Sequence, residues 1–131
     1  MKRLLTTPVI LTGLIGLAGC GGGSDFRKAW KAHQAGDYSE AVKWYRKAAE
    51  QGFPVAQSNL GLMYANGKGA LPNTHDAMIE AYMWFNIAVA NGYTDAARNR
   101  DIAAGKLSSS GVEEAQKRAK HCMASGYKDY G

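Results

Sequence analysis

The chain is poor in the residues that usually announce chemistry. Two cysteines, Cys20 and Cys122, stand far apart in its 131 residues, and no C-x-x-C or H-x-x-x-H spacing occurs, which excludes the common zinc frameworks. No G-x-x-x-x-G-K-[ST] pattern occurs, so Asn66-Gly67-Lys68-Gly69 reads as a helix stop and not as a phosphate loop. No apolar run is long enough to span a bilayer. The longest, Leu4 to Leu17, would reach about 21 Å as a helix against a hydrocarbon core of roughly 30 Å. Charge of one sign is scarce too: the formal net charge is +5, and without Lys2 and Arg3 it is +3, from 14 basic and 11 acidic residues. So mild an excess argues against nucleic acid as a partner.

What is present begins with an address. Met1-Lys2-Arg3 is a short positive segment, Leu4 to Leu17 is mostly apolar, and small residues follow up to Gly19 and Cys20. That order fits a secretory leader. Leu17-Ala18-Gly19-Cys20 resembles the lipobox of bacterial lipoproteins. The resemblance implies cleavage between Gly19 and Cys20, diacylglycerol on the Cys20 thiol, and often acylation of the new amino group. Two or three acyl chains anchor stably where one does not. Residues 1–19 are therefore expected to be a lipoprotein signal peptide, and 20–25 a lipidated cysteine with a flexible Gly/Ser tether. Gly21, where an aspartate would favour inner-membrane retention, points to an outer membrane facing the periplasm.

The remainder repeats itself. AVKWYRKAAEQG (41–52) and AYMWFNIAVANG (81–92) align at an offset of forty, pairing Ala41 with Ala81, Trp44 with Trp84, Tyr45 with Phe85, Ala48 with Ala88 and Gly52 with Gly92. A fixed period of this size marks a solenoid of stacked units. Ala41, Trp44, Tyr45, Ala48 and Ala49 recur at helical spacing along an apolar stripe. Asp37-Tyr38-Ser39-Glu40 has capping-box spacing, Gly52 and Gly92 stop the longer helices, and Pro54 prevents the first from resuming. A shorter helix from Val55 to Ala65, with Ala56, Leu60, Gly61 and Tyr64 inward, completes an αα-hairpin. Phe26 to Ala35 is its upstream counterpart.

A-x-x-W-[YF]-x-x-A-[AV]-x-x-G, preceded in Ala56 to Gly69 by A-Q-x-N-L-G-x-M-Y-x-x-G-x-G, resembles the Sel-one-like repeat family, cousins of the tetratricopeptide repeat. The likeness covers about residues 26 to 105. It implies an all-α, right-handed αα-solenoid of about two repeats, serving as an adaptor for other proteins. The third unit, from Thr94, is degenerate, with Arg100 and Asp101 in the places of Leu60 and Gly61. Val112 to Ser125 is the expected capping helix, started by Ser108 to Ser110, with Val112, Ala115, Ala119, Cys122 and Met123 closing the core. Residues 26–126 thus form the expected repeat domain and 127–131 a flexible tail.

Catalysis, a metal and a cofactor are not expected. Asp37, Asp76, Asp95, Glu113 and Glu114 fall at helix starts, which explains them without acid–base chemistry. His121 and Cys122 are adjacent on a helix and point about 100° apart, and Cys122 reads as a small buried hydrophobe. Trp44, Tyr45, Trp84 and Phe85 read as core. In the resembled family the shorter helix tends to line the concave wall. Alignment places Lys28, Asn59 and Asn99 at equivalent positions there, so these are the candidate contacts to a partner, an envelope protein, or else residues that bond within the repeat.

Overall fold

A computed structural model describes residues 22–69 and 75–129, and every regular element among them is helical. Six helices follow in order: α1 (22–34), α2 (Tyr38–Glu50), α3 (Pro54–Ala65), α4 (His75–Ala90), α5 (Ala96–Gly105) and α6 (Ser109–Ala124). The fold is an all-α helical-repeat solenoid. The leader, Gly19 and Cys20 lie outside the described residues.

Local chemistry sets the boundaries. Asp37 accepts from the Glu40 amide at 3.3 Å, starting α2. The reciprocal half of the box is absent, because the Glu40 carboxylate takes the Trp44 indole N–H at 2.8 Å instead. Pro54 opens α3 at a position where its missing N–H costs nothing. Ser108 caps α6 by accepting from the Gly111 amide at 3.1 Å, whereas Asp95 makes no cap bond. Gly52 and Gly92 close α2 and α4 with φ of 81° and 97°, a region open to glycine at little steric cost. The amides of Phe53 and Tyr93 then reach back to the carbonyls of Ala48 and Ala88.

The core is centred on α4. Ten of its sixteen residues are buried, Trp84, Phe85, Met83 and Ile87 among them, and it packs against α3, α5 and α6. Between α3 and α4 the approach is close enough that a Cβ on Gly61 would stand 2.7 Å from Phe85 Cε1. Helix α6 lies on α4 rather than on α5, through the buried small residues Gly111, Ala115, Ala119 and Cys122. The last unit is thus an opened hairpin whose second helix covers the centre of the stack.

Three sequence expectations are corrected. Residues 22–25 are not tether but helical, part of α1. Gly22 is buried against Phe53, the Asp25 carboxylate accepts from Gln51 Nε2 at 2.7 Å, and the Phe26 ring packs at a tilt against Phe53 and Tyr45. These contacts outweigh the poor helix propensity of glycine. Residues 127–129 are not a free tail: the Tyr127 hydroxyl donates to Asn91 Oδ1 at 3.1 Å, and Asp129 pairs with His121 at 2.9 Å. Trp44, finally, is only half buried, with the ammonium groups of Lys28 and Lys47 4.3 and 4.7 Å from its ring.

Candidate interaction surfaces

The structure sets the three candidate contact residues against different neighbours. Lys28 is exposed on α1 and reaches over Trp44. Asn59, half buried on α3, bonds to the Tyr45 hydroxyl. That hydroxyl also lies 3.2 Å from His33 Nδ1, and burial pushes its pKa above the usual tyrosine value while the Asn59 bond pulls it back. Asn59 therefore has a partner within the repeat. Asn99 lies one unit further on, in a groove of about 150 Å³ lined by Leu62, Asn66, Phe85, Asn99, Ile102 and Lys106 among others. Ile102, at 52% exposure, gives this groove an apolar lip between two amides and an ammonium. Such a lining can hold an apolar side chain while the amides pair with a backbone.

A second, larger surface runs along α2. Ser39, Lys43, Arg46, Lys47, Glu50 and Tyr64 border an open cleft of about 730 Å³. Its floor is tied into the core, since Arg46 Nη2 donates to the Tyr64 hydroxyl. Beyond Tyr64 the charges continue inward: Arg118 contacts Glu80 at 3.2 Å and Glu114 at 2.9 Å. Burial raises the Glu80 carboxyl above the usual carboxylate range, although Arg118 and Arg46 pull the other way. Exposed Glu114 is held below that range, chiefly by its bond from Arg118. A chain of polar and charged groups thus links α2, α3, α4 and α6.

Sequence reasoning missed a second polar tie. Gln57 is fully buried; its amide donates to the Ala49 carbonyl at 3.1 Å and accepts from Asn91 at 3.0 Å. Asn91 in turn receives Tyr127. The signal was the A-Q pair of the repeat motif, but the residue forty positions on is Ala97, so alignment alone gave no reason to single it out.

Among the described residues, the neighbouring Cys122 and His121 do not meet as a pair. Cys122 is free and fully buried, and burial pushes its thiol up to about 11, while its neighbour His121 turns outward to Asp129. A thiol so raised is a poor nucleophile near neutrality. Among the described residues no cluster of three or more His, Cys, Asp or Glu could hold a metal, and no helix is long and apolar enough to cross a membrane.

The geometry is that of stacked hairpins offering surfaces, and comparison with known sequences agrees. Residues 33–53 and 54–93 match the Sel1 repeat. The second match runs from Pro54 to just past Gly92, which is one α3–α4 hairpin with its closing turn. Over 81 residues the chain is also 35% identical to the chitin synthase regulator SKT5 of Saccharomyces cerevisiae, a stretch covering 62% of this chain and 11% of that protein. The chain therefore spans about a tenth of the length of that curated relative. Sel1 repeats suggest, in general terms, a protein–protein interaction module.

Proposed function

We propose that this chain is a lipid-anchored repeat module that binds another protein at a bacterial envelope membrane, facing the periplasm from the outer membrane. The repeats support the binding half of this reading. The order of positive segment, apolar segment, lipobox and Cys20 supports the anchoring half. Its mechanism is positioning: confinement to a membrane raises the effective concentration of the module toward partners on the same surface. A role through binding is in keeping with a relative whose name makes it the regulator of an enzyme.

The observation that carries the binding reading is the groove at Asn99 and Ile102, where an apolar lip and polar groups meet on the last repeat. Cross-linking in the native host, followed by identification of captured proteins, should yield a partner that is lost with Ile102→Asp and kept with an exposed control such as Lys128→Gln. Equal capture by both variants would move the site elsewhere. Metabolic labelling with a fatty acid tests the anchor independently: label should enter the native chain and be absent from Cys20→Ala, and label persisting on the variant would refute the attachment.

A further inference from the structure

The charge of the folded part is unevenly placed. Helices α1 and α2 together hold six basic and three acidic side chains, while the rest of residues 22–131 hold eight of each. The whole excess of +3 therefore sits on α1 and α2. On α1, Arg27, Trp30, Lys31 and Gln34 fall within an arc of about 100°, all exposed and roughly opposite the buried Ala29. Trp30 is 49% exposed. It is one of two large hydrophobics left this open among the described residues, the other being Ile102 of the groove. No acid shares the arc, and the α1 carboxylate, Asp25, is engaged by Gln51. At the flank, Lys28 and Lys47 hold their ammonium groups over Trp44. Further along the chain Arg100 pairs with Asp101, and Arg118 with Glu80 and Glu114.

From this arrangement we infer that the outer face of α1, with the adjoining edge of α2, is a docking surface for an anionic lipid bilayer. Cations flanking an exposed indole are the side-chain set that settles at a headgroup layer, the ammonium and guanidinium groups meeting phosphates and the indole sitting at the apolar boundary. An acidic peptide would satisfy the cations but give no account of the exposed Trp30 among them. The face also belongs to a helix whose described part starts at Gly22, two positions after Cys20 in the sequence. The inference deepens the proposed anchoring by fixing which side of the module lies on the membrane, and leaves the groove on α3–α5 free for a protein.

The test reads orientation in the full chain carrying Cys20→Ser, so its outcome does not depend on lipidation, which the fatty-acid labelling addresses separately. An environment-sensitive fluorophore is attached at Gln34→Cys, or in a second protein at Lys106→Cys just past α5; buried Cys122 stays unlabelled in the folded protein. Each is mixed with vesicles of phosphatidylcholine alone or of phosphatidylcholine with phosphatidylglycerol. The label at 34 should shift to the blue on the phosphatidylglycerol vesicles and return toward its aqueous emission at high salt, while the label at 106 stays aqueous. Arg27→Gln with Lys31→Gln should weaken this response about 25-fold, about fivefold for each cation at an anionic surface. The inference is overturned by equal shifts at 34 and 106, by indifference to headgroup charge or to the double substitution, or by soluble polyglutamate shifting the label at 34 as the vesicles do.

Discussion

Trp44 and Trp84 occupy the same place in successive repeats and live in different surroundings. Trp84 is fully buried in a helix packed against three others. Trp44 is half exposed, roofed by two lysines and bonded to Glu40. The motif supplies the same indole twice, and the number of neighbours decides whether it becomes core or surface. In a solenoid each unit contacts only its neighbours, so units at the ends keep one face uncovered. The sharpest break of the comparison is truncation: Trp84→Ala should cost about 3–5 kcal/mol, and Trp44→Ala about 1 kcal/mol, through a lost hydrogen bond and partial packing. Urea denaturation of the two full-length variants measures both. Near-equal losses would show that α1 and α2 are covered as fully as α4.

The next contrast is between two helical glycines. A Cβ at Gly61 would meet the Phe85 ring at 2.7 Å and the Ala81 carbonyl at 3.2 Å, so Gly61→Ala should destabilise by about 1–3 kcal/mol through overpacking. Gly105, at the end of α5, has nothing within 4 Å of the same position, and alanine there should stabilise by about 0.5–1 kcal/mol. Opposite signs of the shift in denaturation midpoint check the pair. They would confirm that the α3–α4 approach is tight while the outer edge of the last unit is open.

Legibility from sequence follows the same division. The central hairpin was readable because its constraints are local and repeated: Pro54, Gly52 and Gly92 mark ends, and the forty-residue offset aligns the stripes. The failures lie at the edges, where burial comes from contacts between distant residues. Gly22 and Gly23 look like linker until Phe53 is placed beside them. Tyr127 looks like tail until Asn91 is found to accept its hydroxyl. The candidate site was less legible than the fold. Asn59 and Asn99 are equivalent by alignment, yet one is bonded to Tyr45 and the other lines a groove, a difference that depends on which residue of the neighbouring helix stands opposite. Tyr127→Phe tests the edge directly: losing its bond to Asn91 should cost about 1 kcal/mol, with faster amide exchange in the last turn of α6 as the local readout.

The smallest effect concerns the charges that cross the stack. Glu80 is paired with Arg118, yet burial raises its carboxyl above the ordinary value of 4.5, so desolvation outweighs the attraction. The folded chain then holds the Glu80 proton more tightly than the unfolded chain does. This group's contribution to stability is complete below the unfolded carboxylate pKa and is lost as pH rises through the raised folded value. Glu114, with its carboxyl lowered, runs the other way: its contribution is present above the unfolded value and lost as pH falls through the lowered one. Glu80→Gln removes the first dependence and leaves the second, because Arg118 keeps Glu114. The variant should therefore gain on the native protein as pH rises from about 4 to about 7, and at neutral pH should be no less stable, since an amide can still accept from Arg118 without burying a charge. Denaturation midpoints across that range decide it. A variant that falls steadily behind as pH rises would mean that Arg118 and Arg46 hold the Glu80 carboxylate more strongly than burial opposes it, and that the ion pair, rather than the apolar face of α4, sets the register of the stack.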